Sequence, residues 1–260
     1  MITTLHQKNA IVCGSTQGIG KACARLLASL GANVTLIARN AQVLEDTVTQ
    51  LDSSEGQLHQ RIVADFTQPT HLKEQLLLHL RQPIHILVNN TGGPSPGKAV
   101  EADTPLFIEA FQQHLICNQI LVQAIVEGMK KERFGRIINI ISTSVKQPIA
   151  GLGVSNTIRG AVANWAKTLS VELAPFGITV NNVLPGATKT ARLESLIQRK
   201  AVQSGKSTLQ IIEEMQMEIP AARFAEAEEI AEAVAFLASE AAGYINGVNL
   251  PVDGGRTGSL

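Results

Sequence analysis

The stretch from Asn9 to Lys21 carries the clearest chemical potential in the chain. A short apolar run, Ala10 to Cys13, meets a loop holding Gly14, Gly18 and Gly20, and a helical pattern follows at once. Glycines let the backbone turn tightly and approach a ligand. A helix N-terminus then directs unsatisfied N–H groups at an anion. A dinucleotide pyrophosphate is the usual anion for a strand, a glycine loop and a helix in that order. The candidate residues are Gly14, Ser15, Gln17, Gly18, Ile19 and Gly20. Taken alone, three glycines also fit a tight turn that binds nothing.

The residues that close the next strand patterns extend this reading. Arg39 and Asn40 follow the second strand pattern, where a carboxylate would select a ribose 2′-hydroxyl. Arg39 instead offers positive charge to a 2′-phosphate, with Ser15 as a helper, so NADP is expected over NAD. A solvated surface arginine is the alternative. Asp65 and Phe66 follow strand three and would flank an adenine; Asn89, Asn90, Thr91 and Gly92 follow strand four and would line the far side of the ligand. Pro185, Gly186, Ala187 and Thr188 follow strand six, where a backbone turn and a hydroxyl suit a nicotinamide amide.

These positions require a particular scaffold. Short apolar runs near residues 10–13, 34–38, 61–64, 84–88, 136–141, 178–184 and 248–252 alternate with helical patterns. The helical patterns cover about 22–30, 41–51, 69–80, 104–132, 152–173, 190–216 and 226–239. Near-continuous apolar strands separated by helices predict one doubly wound α/β domain over residues 1–260, of Rossmann type, with about seven parallel strands and helices on both faces. The segment 190–217 is expected to form a mobile lid over a substrate.

The 260 residues are 45% hydrophobic and 17% charged, with 22 basic and 22 acidic side chains and a formal net charge of zero, so no basic stripe points to nucleic acid or an anionic membrane. No apolar segment suits a signal peptide or a membrane span, and a cytoplasmic protein is expected. Cys13, Cys23 and Cys117 read as buried thiols in a reducing compartment, with no metal-like spacing among cysteines or histidines. Cys117 lacks a histidine partner at a suggestive spacing for a nucleophile.

Six motifs in register cover nearly the whole chain: Cys13 to Gly20, Ala64–Asp65, Asn89 to Gly92, Gly135 to Ser142, Ile178 to Gly186 and Val252 to Gly255. Together they resemble the short-chain dehydrogenase/reductase family, in its 3-oxoacyl-acyl carrier protein reductase branch. The resemblance implies an NADP-dependent oxidoreductase acting on a small carbonyl or alcohol, and a homodimer or homotetramer built on the helices at 104–132 and 152–173. Trp165 then belongs to the core or a subunit contact.

The resemblance also implies a tetrad of Asn, Ser, Tyr and Lys. Ser142 matches the serine. The tyrosine position holds Ser155, the lysine position holds Arg159, and the asparagine position holds His114, or Asn118 after a small shift. The chain's one tyrosine, Tyr244, lies in Gly-Tyr-Ile-Asn-Gly before the last strand, where the resemblance implies aromatic or apolar packing, and reads as structural. A serine hydroxyl is a far weaker acid than a lysine-tuned phenol, and arginine cannot relay a proton. Ser155 and Arg159 are four apart and share one helix face. His114 is a candidate proton donor near neutral pH, or a half-buried packing residue. Two functions stay open: a divergent NADP(H)-dependent oxidoreductase using Ser142, Ser155, Arg159 and His114, and an NADPH-holding scaffold or sensor without turnover.

Overall fold

The computed structural model describes residues 4–259. Seven strands form one parallel sheet: β1 (Asn9–Cys13), β2 (Asn33–Ala38), β3 (Gln60–Val63), β4 (Ile86–Asn89), β5 (Gly135–Ile140), β6 (Ile178–Pro185) and β7 (Asn249–Val252). Their order is β3-β2-β1-β4-β5-β6-β7, so the winding reverses between β1 and β4. Ligands bind at such a reversal, outside the carboxyl ends of the strands.

Both faces of the sheet are covered. On one side α1 (Gly18–Ser29) and α9 (Ala227–Ala238) pack Leu27, Ile230 and Val234 against Val12, Val88 and Ile138. On the other, α3 (Pro69–His79) and α5 (Cys117–Glu132) set Leu72, Leu121 and Ile125 against Ile11, Leu87 and Ile137. Each such buried side chain contributes about 1.5–3 kcal/mol. The alternation of β1, β4 and β5 residues between the two clusters is the period-2 pleat of a strand buried on both faces. The shorter α2 (Ala41–Val48) follows β2, and its N-terminus is capped by Asn40.

Beyond β4, α4 (Thr104–Phe111) leads into α5, and α6 (Gly153–Leu173) precedes β6. The expected lid is two helices, α7 (Ala191–Ser204) and α8 (Thr208–Met217). They are broken at Gly205 and hold their own cluster of Leu193, Ile197, Ile211 and Met215. No helix among the described residues is long and apolar enough to cross a membrane.

Two expectations are corrected here. The helix expected over 104–132 is not continuous, because residues Gln112–Ile116 form a π-helical turn between α4 and α5. A π-turn fits an extra residue into the helix and rotates what precedes it, a feature frequent at functional sites. A regular helix would put Phe111 and His114 on one stripe; instead Phe111 is 40% exposed and His114 only 1%. Tyr244 is not packed either: it is fully exposed between α9 and β7. It precedes the start of β7, at the end of the sheet opposite the carboxyl ends of the strands.

Candidate functional site

The glycine loop is shaped by close approach. Gly14 has φ +58°, and a Cβ on Gly20 would fall 2.2 Å from the Gly14 carbonyl oxygen. Asn90 braces the loop from β4's end: its Nδ2 donates to the carbonyls of Cys13 (3.2 Å) and Gly14 (3.3 Å). The side-chain amide of Asn90 therefore positions the loop. No side chain caps α1, so its first N–H groups remain free for an anion. Ile19 lies in the first turn of α1, half-buried against the core. Thr190 closes the same space from the α7 side, its methyl group beside Gly18, and caps α7.

The structure redistributes the residues around this loop. Ser15 faces inward, fully buried, with its hydroxyl directed at the Ile37 carbonyl, so it is not available to a phosphate. The half-buried Thr16 and the exposed Gln17 are the loop's outward-facing side chains. Arg39 is exposed just past β2 and takes part in none of the ion pairs found among the described residues. Asn40 is engaged as the α2 cap, accepting from Val43 N at 3.1 Å. Asp65 accepts from Thr67 N at 2.9 Å, which shapes the turn after β3, and Phe66 rests half-buried on the core. Gly92 is open to solvent. On the far side, Gly186 packs so tightly on Asp253 that a Cβ would sit 2.7 Å from its Cα. Next to it the buried Thr188 hydroxyl donates to Gly186 O at 3.1 Å.

The second group of side chains lies on the segment after β5, on α6 and on the π-turn, elements that pack on one another. Ser142 follows β5; its Oγ accepts from Ser144 N at 3.1 Å, which leaves its own proton free to donate. Residues Thr143–Val145 form a short turn packed on α6, the helix that carries Ser155 and Arg159, 6% and 8% exposed. Arg159 Nη1 donates to Ile140 O at 3.1 Å, which sets the guanidinium beside the end of β5. Burial first, and the charge of Arg192 second, push its pKa down to about 10, so it stays cationic at neutral pH. The π-turn also packs on α6 and turns His114 inward, where Thr91 Oγ1 lies 2.5 Å from its Nδ1.

His114 is not the proton donor expected from its type. Burial first, then the charges of Arg159 and Arg192, lower its pKa to about 2, so the ring is neutral at physiological pH. We assign Nδ1 as acceptor of the Thr91 proton. Nε2, buried and unpartnered among the described residues, then carries the ring N–H as a hydrogen-bond donor. Asn118, the alternative position, lies one turn along in α5, also buried, with its Oδ1 unpartnered. Cys117 is excluded as a nucleophile: its thiol donates to Phe66 O, and burial, with Asp65 adding to it, pushes it up to about 12.

The neutral histidine has a consequence for stability. Below about pH 6.5 the unfolded chain takes up a proton that folded His114 refuses until about pH 2. Stability from this group is therefore present above pH 6.5 and lost as the pH falls through that window. Between pH 7 and 5 the loss is about 2 kcal/mol. Urea unfolding of the wild type and of His114→Gln at both pH values should show the variant losing less by that amount. Equal losses would mean that His114 is charged in the fold.

The model of a family described as enoyl-(acyl carrier protein) reductase matches residues 14–257. The chain is a short-chain dehydrogenase/reductase. A 3-oxoacyl-[acyl-carrier-protein] reductase of Haemophilus influenzae is 36% identical over 259 residues, covering 96% of this chain and 98% of its own. An NADPH-dependent reductase, BacG of Bacillus subtilis, is 29% identical over 259 residues, covering 98% of this chain and all of its own. Among solved structures, an L-sorbose reductase of Gluconobacter frateurii, complexed with NADPH and L-sorbose, superposes with a TM-score of 0.93 at 28% identity, each chain fully covered.

In this short-chain dehydrogenase/reductase, both groups of residues expected from the sequence follow the carboxyl ends of strands or lie on the helices next to them. The sequence reading missed the outward-facing Thr16, the Thr91–His114 contact, Thr190 and Arg192. Thr16 and Thr190 carry a sequence signal, being hydroxyls in the glycine loop and at the N-cap of α7. The other two depend on contacts across 23 and 99 residues, which no local pattern encodes.

Proposed function

We propose that the chain is an NADPH-dependent reductase of a small carbonyl compound, with a site in which Ser142, Ser155, Arg159 and His114 stand where the family's Ser, Tyr, Lys and Asn are expected. The observation that carries this reading is the buried Arg159, held by Ile140 O one turn after Ser155 and beside the segment that follows Ser142. It keeps a hydroxyl and a cation in one place.

The cofactor fits this chain. The Gly14–Gly20 cradle leaves no room for a side chain, α1 presents an uncapped N-terminus, and Arg39 has no acidic partner among the described residues. Arg39 and Thr16 would hold the 2′-phosphate, the α1 N-terminus the pyrophosphate, Asp65 and Phe66 the adenine, and Pro185, Gly186 and Thr188 the nicotinamide. Bound there, NADPH supplies a hydride.

The chain's own groups then act on the substrate oxygen. The Ser142 proton is free, since its acceptor role is taken by Ser144 N–H, so it donates to the carbonyl. The Nε2–H of neutral His114 and the Ser155 hydroxyl are further donors. Arg159 stabilises the developing alkoxide by its charge. None of these groups is an acid near neutral pH, so the alkoxide takes its proton from water, and simple ketones should turn over slowly.

The test is oxidation of NADPH across a panel of carbonyl compounds. Slow wild-type turnover that disappears in Arg159→Ala supports the reading. NADPH binding without turnover on any compound would make the chain a cofactor-holding scaffold. Fast turnover of simple 3-oxoacyl esters would overturn the account of the site.

Self-association belongs to the same proposal. Of the large apolar side chains, α5 exposes none and α6 exposes Val171, whereas α4 exposes Leu106, Ile108 and Phe111. We place a subunit contact on α4 and the neighbouring faces of α5 and α6. Sedimentation at micromolar concentration should show a dimer or tetramer, and Ile108→Glu should weaken it; a wild-type monomer would reject the contact.

A further inference from the structure

Two arginines reach the site from opposite sides. Arg159 rises from α6, 8% exposed, with its hydrogen bond from Nη1 to Ile140 O. A guanidinium carries five N–H donors, so most of this fork is unused. Arg192 starts on α7, in the lid, and crosses to the loop after β4. Its Nη1 lies 2.9 Å from Gly93 O, and its Nη2 lies 3.4 Å from Pro94 O. It presses flat against Gly93, where a Cβ would fall 2.6 and 2.7 Å from its two terminal nitrogens.

Their hydrogen bonds set the two guanidiniums at the ends of the neighbouring strands β5 and β4, and Arg192 adds to the effect of burial in lowering the proton affinity of both Arg159 and His114. Arg199, two turns along α7, adds a third positive charge. None of the three pairs with a carboxylate among the described residues, although the chain has as many acidic as basic side chains. Arg192, exposed on α7, has no acidic partner, and a buried charge without a partner is costly, a cost the chain bears at Arg159. A ligand that brings the missing negative charge removes it.

We propose that this site takes a carbonyl compound bearing a carboxylate, held between Arg159 and Arg192. This deepens the reductase reading and rests on it. Arginine forks match the planar geometry of a carboxylate, with two parallel N–H···O bonds available from each. The carboxylate occupies the forks, and the adjacent carbonyl is left to Ser142 and His114. Arg192 ties the lid to the loop after β4, so the same contact that selects the acid also fixes α7 over it. Neutral ketones lack the group that settles these charges and bind weakly.

The cofactor's phosphates are the other source of negative charge, and the experiment separates the two. Calorimetry on the full chain, with and without NADP+, measures the affinity for 2-oxobutyrate and for its methyl ester; NADPH is titrated separately. The acid should bind at least about tenfold more tightly than the ester. Arg192→Gln should weaken the acid about ten- to a hundredfold, while NADPH affinity moves less than about threefold. Gly93→Ala keeps every charge but displaces the Arg192 guanidinium, and should reproduce most of that loss. Equal affinity for acid and ester, or no binding of the acid, overturns the clamp. So does a matching loss of NADPH affinity in Arg192→Gln, which would assign the arginines to the cofactor's phosphates. Binding of the acid without binding of NADPH leaves the clamp standing and removes the reductase reading instead.

Discussion

The double substitution S155Y/R159K is expected to raise NADPH-dependent reduction of a simple 3-oxoacyl ester by at least tenfold. In the proposed site Ser155 and Arg159 supply donors and charge but no acid that can part with a proton near neutral pH. A tyrosine beside a lysine supplies both a donor and a tuned acid, and general acid catalysis is worth about 10²–10⁴ in rate. The two positions are suited to the exchange: they are four apart on α6, on one face, both are buried, and Arg159 reaches the end of β5. The gain should lie in kcat with little change in NADPH affinity, since the glycine loop and Arg39 are untouched. Reduction of neutral esters should improve while affinity for carboxylates falls, because lysine offers a point charge where arginine offers a fork. Initial rates of NADPH oxidation, single-turnover rates and cofactor titration separate these effects. An unchanged rate with intact NADPH binding would mean that the site does not hold a carbonyl in reach, and the scaffold reading would follow.

Exchange of Arg39 for aspartate is expected to invert the cofactor preference. Arg39 stands exposed just past the end of β2. A charge-assisted contact to a 2′-phosphate is worth roughly 1.5–3 kcal/mol, so the wild type should prefer NADPH over NADH by about ten- to a hundredfold. Arg39→Asp replaces that contact with repulsion towards the phosphate and with an acceptor for the 2′-hydroxyl of NADH. Fluorescence titration of both reduced cofactors against both chains measures the inversion. Equal wild-type affinity for the two would remove Arg39 from the cofactor site. The fold should not suffer, because Asn40, not Arg39, caps α2.

The carboxylate clamp and the neutral histidine connect these results. Burial, with the charges of Arg159 and Arg192 adding to it, keeps His114 uncharged, which preserves it as a single hydrogen-bond donor and makes the fold sensitive to acid. A bound acid would compensate the arginine charges and ease that depression, so ligand binding and the protonation of His114 are linked.

What was legible in the sequence is what local patterning encodes. Apolar runs of strand length separated by helical periodicity lead to a parallel sheet, because a strand buried on both faces must be apolar throughout. Gly14 and Gly20 announced a close approach of backbone, and the structure shows contacts there that no side chain survives. Arg39 was readable because its place at a strand's carboxyl end follows from strand position alone. The tertiary structure decided the rest. Ser15 turns inward to Ile37 although it stands in the loop, because the carbonyl it meets lies on the neighbouring strand. A π-turn separates His114 from Phe111, and helical periodicity has no term for an inserted residue. Tyr244, where the resemblance implies packing, lies exposed in the turn before β7. Arg192 reaches a loop 99 residues earlier in the chain. Its own burial first, and the charges of Arg159 and Arg192 after it, set the pKa of His114, and all depend on which distant segments meet. Spacing along a chain determines which residues share an element; only packing determines which elements share a cleft.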